Sequence, residues 1–126
     1  MRCNMIKGIG VDVVNLSRVE KQILKPAFLA RIFSSREREI LSSKKNKIQL
    51  AGGHFAVKEA VSKALGTGIS GCDLSEIQVL NHENGKPYVE LLGDMANKLR
   101  PYNIHVSISH DGGIAVAYVI LEEKNE

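Results

Sequence analysis

Apolar and polar positions divide this chain into two regions of different period. Residues 5–16 alternate: Ile9, Val11 and Val13 face one way, and Ile6, Gly8, Gly10, Asp12 and Val14 face the other, the pattern of a strand. Ser17 with Glu20 three residues later has capping-box spacing and predicts a short helix to about Lys25, before Pro26. Phe28, Leu29, Ile32 and Phe33 predict a second short helix, and Ser34 or Ser35 caps a third through SREREILSS. The longest helix is expected over residues 46–65, stopped by Gly66-Thr67-Gly68. Ile48, Ala51, Gly52 and Phe55 form one apolar face of it, and Val57, Val61, Ala64 and Leu65 another, so it should be central and buried.

The second half reads as strands. Residues 76–82 and 88–92 flank the turn Asn84-Gly85-Lys86-Pro87 as a hairpin. A short helix over 94–99 ends before Pro101. Ile104, Val106 and Ile108 alternate with His105, Ser107 and Ser109, and Asp111-Gly112-Gly113 turns the chain into a last strand, 114–121. The fold class is α+β, an antiparallel sheet packed against a long central helix.

The length of 126 residues fits one domain with a real core, residues 1–126. Hydrophobic residues (44%) and charged residues (25%) stand at ordinary soluble levels, so attention moves to where the charge lies. The net charge of +3 is too small to imply nucleic acid, and the absence of Trp removes an obvious base-stacking platform. No apolar run approaches the ~20 residues of a membrane span, and MRCNMIKGIG lacks the apolar segment of a secretory signal. Cys3 and Cys72, far apart, read as reduced thiols of a cytoplasmic protein. Basic residues gather between Arg18 and Lys47, including Lys21, Lys25, Arg31 and Lys45, against three acids. That face suits an anionic ligand or an acidic partner, or is simply a solvated helical surface.

Asp12 is the conspicuous residue of the first strand. A carboxylate among strand apolars is costly unless paired or bound to a cation, and Gly8 and Gly10 on its side leave room for a backbone or a ligand. Taken alone, Asp12 is more simply a buried residue satisfied by its surroundings. Glu59 changes the balance, because it continues the stripe Ile48, Gly52, Phe55 and should emerge from apolar surroundings. Two such carboxylates suit magnesium, which takes one or two of them and completes its shell with water and phosphate. Lys63 is an i+4 salt-bridge partner for Glu59 or a phosphate contact. Gly66, Thr67 and Gly68 allow close backbone approach, although Gly66 also reads as an ordinary helix cap. His110, at a strand end before two glycines, is placed to bind phosphate or transfer a proton.

The segments GIGVDVVNLSRVE, FAVKEAVSKALGTGI and HVSISHD, with FLARIFSSRERE and NGKPYVEL between them, resemble the small single-domain class of bacterial 4′-phosphopantetheinyl transferases, the holo-acyl-carrier-protein synthase family. The resemblance runs from about residue 6 to 119. It implies an enzyme that moves the phosphopantetheine arm of coenzyme A to a serine of apo acyl carrier protein, with magnesium, releasing adenosine 3′,5′-bisphosphate and giving holo carrier protein for fatty acid biosynthesis. It also implies a homotrimer with active sites between subunits. By the same resemblance Asp12 and Glu59 hold magnesium, and Lys63 contacts the pyrophosphate. Gly66, Thr67 and Gly68 line coenzyme A, Pro87 lies near the adenine, and His110 lies on the 3′-phosphate and pyrophosphate side. Arg18 meets the acidic carrier, with Lys21, Lys25 and Arg31 extending that surface. The position before Phe55 is often Arg in that family and helps hold coenzyme A. Here it is His54, a departure: either Lys45 or Lys47 supplies the missing positive charge, or affinity depends more on pH, and His54 is counted with them among the coenzyme-binding residues. The base for the serine proton is Asp12 or Glu59 through a water, or else His110. A non-catalytic module binding coenzyme A or another nucleotide, and an interaction domain for acidic proteins, are the readings to set against transfer.

Overall fold

The computed structural model describes residues 5–124, which leaves Cys3 outside it. Strand β1 (Ile6–Asn15) is followed by three short helices, α1 (Leu16–Gln22), α2 (Pro26–Ile32) and α3 (Ser35–Ser42), and then the long α4 (Lys47–Leu65). Two 3₁₀ turns lead into the hairpin β2 (Ile77–Asn81) and β3 (Pro87–Leu91). Helix α5 (Gly93–Lys98) and the strands β4 (Tyr102–Asp111) and β5 (Ile114–Glu123) complete the chain. The α+β class holds, but the strands form two sheets: β1-β5-β4, antiparallel, and the separate pair β2-β3.

The long helix lies across one face of the three-stranded sheet, and glycine makes this possible. A Cβ at Gly8 would collide with the carbonyl of Ala64, and one at Gly10 with the carbonyl of Ala60. The two glycines are therefore filled by the α4 backbone and do not open space for a ligand, a correction to that part of the sequence reading. Ala51, Ala56, Val57, Ala60 and Val61 are all fully buried, as the two apolar faces of α4 require. Gly10→Ala is expected to destabilise the chain by roughly 1–3 kcal/mol or more, because the obstacle is main chain. Chemical denaturation of the two forms measures it.

Three local expectations change. Asn15, not Ser17, caps α1: its Oδ1 accepts from the Ser17 backbone N–H at 2.9 Å and from the Ser17 hydroxyl at 2.6 Å. The capping box forms at α3, where Ser34 Oγ accepts from Glu37 N at 3.1 Å and Glu37 Oε1 from Ser34 N at 3.0 Å. Between Ile6 and Gly8 the β1–β5 register shifts, which takes Ile6 off the helix-facing side and leaves it exposed.

Along β1 and β5 the opposite face of the sheet is apolar and uncovered among the described residues, while β4 adds His105, Ser107 and Ser109 to it. Ile9 is 62% exposed, Val13 60% and the neighbouring Tyr118 55%. Val11 lies directly opposite Tyr118 in the register.

Candidate active site

Asp12 projects from the helix-covered face of β1 and is 7% exposed. Lys63 of α4 reaches across to it. Its Nζ donates to Asp12 Oδ1 at 2.8 Å and to the Val11 carbonyl at 3.1 Å. The second carboxylate oxygen, Asp12 Oδ2, is buried and has no hydrogen-bond partner among the described residues. An orphaned carboxylate oxygen is expensive unless a cation completes it.

Glu59 lies one helical turn before Lys63 and is half-buried. Burial raises its carboxyl above the usual carboxylate range, the Asp12 charge raises it further, and Lys63 opposes both. The Lys63 ammonium is held above the usual lysine value, chiefly by its hydrogen bond to Asp12. The simple i+4 pairing of Glu59 with Lys63 therefore gives way to a cross-element pair, Lys63 with Asp12. That frees Glu59 to face Asp12 as a second carboxylate.

The donor set fits magnesium. No group of three or more His, Cys, Asp and Glu side chains gathers among the described residues. A hard cation that takes two carboxylates and borrows phosphate and water for the rest does not need one.

A recess of about 340 Å³ beside Glu59 is lined by Asn15, Arg18, Phe28, Arg31 and Phe55. Two of the basic residues predicted to meet a partner thus share a wall with one of the predicted metal carboxylates. Arg31, Phe28 and Phe55 also border a larger cavity of about 740 Å³. Lys21 and Lys25 are exposed, at the end of α1 and just before α2. Gly66 and Gly68 take left-handed φ values of +83° and +69° in the turn after α4. Gly66 N bonds back to the Lys63 carbonyl, so the cap sits beside the lysine that pairs with Asp12. Thr67 Oγ1 donates to the Gly68 carbonyl at 3.2 Å.

The other predicted residues lie elsewhere. His110 rests its Nε2 against the Gln49 carbonyl at 3.1 Å. With His54 and Pro87 it lines a separate cavity of about 260 Å³, bounded also by Asn81, Gly85 and Ile108. Gln49 and Glu59 are ten residues apart on α4, a rise of about 15 Å along the helix. Within one chain the histidine cluster and the carboxylate cluster are two places. Lys47 lines neither: it borders a recess with Ile23, Leu29, Arg38 and Leu41. Lys45 is exposed in the loop before α4.

A buried ionic cluster escaped the sequence reading. Lys58, fully buried, donates to Glu37 Oε1 at 2.7 Å and to the carbonyls of Leu74 and Ile77. Glu37 Oε2 accepts from Val79 N at 3.3 Å and faces His54 Nδ1 at 3.7 Å. Burial raises the Glu37 carboxyl, but His54 and Lys58 outweigh it and hold the group below the usual carboxylate range. Burial lowers the Lys58 ammonium, with Glu37 as the main opposition. The Ser34–Glu37 spacing was the available signal, since a Glu at the third position of a capped helix is turned back toward its own cap.

A glycine-backed strand and a buried helix thus bring Asp12, Glu59 and Lys63 together. Residues 8–119 match the model of the 4′-phosphopantetheinyl transferase superfamily, and the chain belongs to that superfamily. Its enzymatic class is accordingly phosphopantetheinyl transfer. It is 48% identical over 122 residues to a holo-[acyl-carrier-protein] synthase from Clostridium botulinum, spanning 94% of this chain and 98% of that protein. Among solved structures it is similar to a holo-(acyl-carrier-protein) synthase from Bacillus anthracis in complex with CoA (3′,5′-ADP). The TM-score is 0.82 and the identity 37%, over 95% of this chain and 99% of that one. The Neisseria meningitidis holo-[acyl-carrier-protein] synthase superposes with a TM-score of 0.84 at 28% identity, over 94% of this chain and all of that one (100%).

Proposed function

We propose that the chain transfers the 4′-phosphopantetheine group of coenzyme A to a serine of apo acyl carrier protein, with magnesium, releasing adenosine 3′,5′-bisphosphate and supplying holo carrier for fatty acid biosynthesis in the cytoplasm. The observation that carries this reading is Asp12, its Oδ1 held by Lys63 and its Oδ2 without a partner among the described residues, near enough to Glu59 for its charge to raise that carboxyl.

Asp12 and Glu59 would hold the magnesium ion. When bound, the metal supplies positive charge where the pyrophosphate bond breaks. Lys63 adds a second positive charge on the exposed side of the pair, and Lys63 and Asp12 fix each other's orientation before substrate arrives. The serine oxygen attacks the β-phosphorus, and its proton leaves to Glu59 through a water. Glu59 suits this role because it is half-buried and borders the recess that Arg18 and Arg31 line, where the serine would arrive. His110, seated on Gln49 in the other cavity, is better placed for the nucleotide end. Arg18 and Arg31, beside Glu59, would steer the acidic carrier so that its serine arrives at the carboxylates.

The same reading makes the assembly a homotrimer with its sites at subunit boundaries. Two features support it: the uncovered apolar face bearing Ile9, Val11, Val13 and Tyr118, and the separation of the His110 cavity from the carboxylates within one chain.

Intact-mass spectrometry of apo acyl carrier protein after incubation with the chain, coenzyme A and magnesium tests the function. A gain of one phosphopantetheine that disappears with chelator is the expected result. No gain on any of several carriers, with coenzyme A still bound, would leave a binding module in place of a transferase. Binding of acidic proteins without metal and without coenzyme A affinity would leave an interaction domain.

A further inference from the structure

We propose that His54 is a positioning residue: it clamps the β2–β3 turn over the cavity that His54 shares with Pro87 and His110, and it does not meet coenzyme A as a cation. This rests on the reading of that cavity as part of the coenzyme site. It replaces the expectation that His54 is one of the residues binding coenzyme A.

The hydrogen bonds define the clamp. Asn81 Nδ2 donates to the Gly85 carbonyl at 2.9 Å. Its Oδ1 is thereby turned toward α4, where it lies 2.8 Å from His54 Nε2. An amide oxygen can only accept, so Nε2 is the protonated nitrogen of this contact. The other nitrogen, Nδ1, is buried without a hydrogen bond among the described residues and faces Glu37 Oε2. With the ring 3% exposed, one nitrogen is spent on Asn81 and the other looks into the protein. Neither is presented to an anion in the cavity.

The clamp has a direct object. The turn is otherwise closed by His82 N to Lys86 O at 2.9 Å and Gly85 N to His82 O at 2.8 Å, both internal to it. Asn81 ties that turn to its own strand, and His54 ties Asn81 to α4. Pro87, the next residue after the turn, forms a wall of the cavity. Glu37 of α3, anchored by Lys58, backs the imidazole, and His110 of β4 stands across the cavity.

The test is calorimetric titration of the full chain with coenzyme A, together with steady-state kinetics, for the wild type and three variants. Asn81→Ala and His54→Leu are expected to raise Kd and KM for coenzyme A roughly 3- to 10-fold, the worth of one hydrogen bond, with kcat changed less than about twofold. His54→Gln, whose amide donates from nearly the position of Nε2, should restore both constants to within about twofold of wild type. Two results would overturn the clamp: Gln as damaging as Leu, which would mean that charge matters, or Asn81→Ala without effect. If His54→Leu does not fold, the exposed Asn81→Ala and the conservative His54→Gln decide the matter between them. A wild-type chain that binds no coenzyme A would overturn the transferase reading and this role with it. Normal binding in Asn81→Ala overturns this role alone.

Discussion

Asp12→Ala should lose magnesium-dependent transfer by about 10²-fold or more, the scale for removing one preorganised electrostatic group, while melting no lower than the wild type. The two halves of this expectation have one cause. Asp12 is 7% exposed and keeps one oxygen without a partner among the described residues, so the fold without metal carries a desolvation cost at that position. Its compensation on the other oxygen comes from Lys63, an exposed side chain that loses little by returning to water. Deleting the carboxylate therefore relieves the fold at the site where it disables the chemistry. Asp12→Asn keeps the shape and should behave likewise. The measurements are turnover by mass spectrometry and thermal melting with and without magnesium. The wild type should gain stability from the ion, and the variant should not. Full activity in Asp12→Ala would remove this residue from the metal role. A large fall in melting temperature would show that the carboxylate is a structural group.

Glu37→Ala should have the largest effect on stability, roughly 3–5 kcal/mol, because it strands a buried ammonium. Lys58 is fully buried and would keep the Leu74 and Ile77 carbonyls as hydrogen-bond acceptors and the Phe33 ring beneath it, but no contacting carboxylate. The same change removes the acceptor for Val79 N and half of the α3 capping box. Urea denaturation at neutral pH reads the loss, and a value below about 1 kcal/mol would mean that water or a shifted Lys58 replaces the carboxylate. The pH dependence gives a second reading. The folded Glu37 carboxyl lies below its unfolded value, so its contribution is present above the unfolded value and is lost as pH falls through the folded one. The Glu37→Ala variant should accordingly lose less stability than the wild type over that acidic window.

The elements that could be read from sequence were those whose signal is local. The alternation around Asp12, the long apolar helix, the Asn-Gly turn and the Gly-Gly turn each depend on neighbouring residues, and each appears where expected. Asp12, Glu59 and Lys63 also come together, because one strand and one helix suffice to place them. Long-range facts were not legible. A Glu–Lys pair four residues apart gives no sign that the lysine prefers an aspartate 51 positions away. Lys58 next to Glu59 looks like surface charge until α3 is packed over it. His54 reads as a coenzyme contact only while its depth is unknown, and at 3% exposure it belongs to the interior. The apolar face of Ile9, Val11 and Val13 was visible as a pattern, but alternation reports that a face wants cover and not which chain provides it.

The glycines at 8 and 10 carry a consequence for how the site tolerates change. At Gly8 and Gly10 the strand bearing Asp12 and the helix bearing Glu59 meet through main-chain atoms, at the carbonyls of Ala64 and Ala60. Their spacing is thus inherited from peptide geometry, which mutation cannot retune by enlarging or trimming a core residue. Substitutions can accumulate at α2, at the hairpin or along the basic face while the distance between the carboxylates stays where the backbone sets it. The sequence around the site is free to drift, and the approach of strand to helix is not.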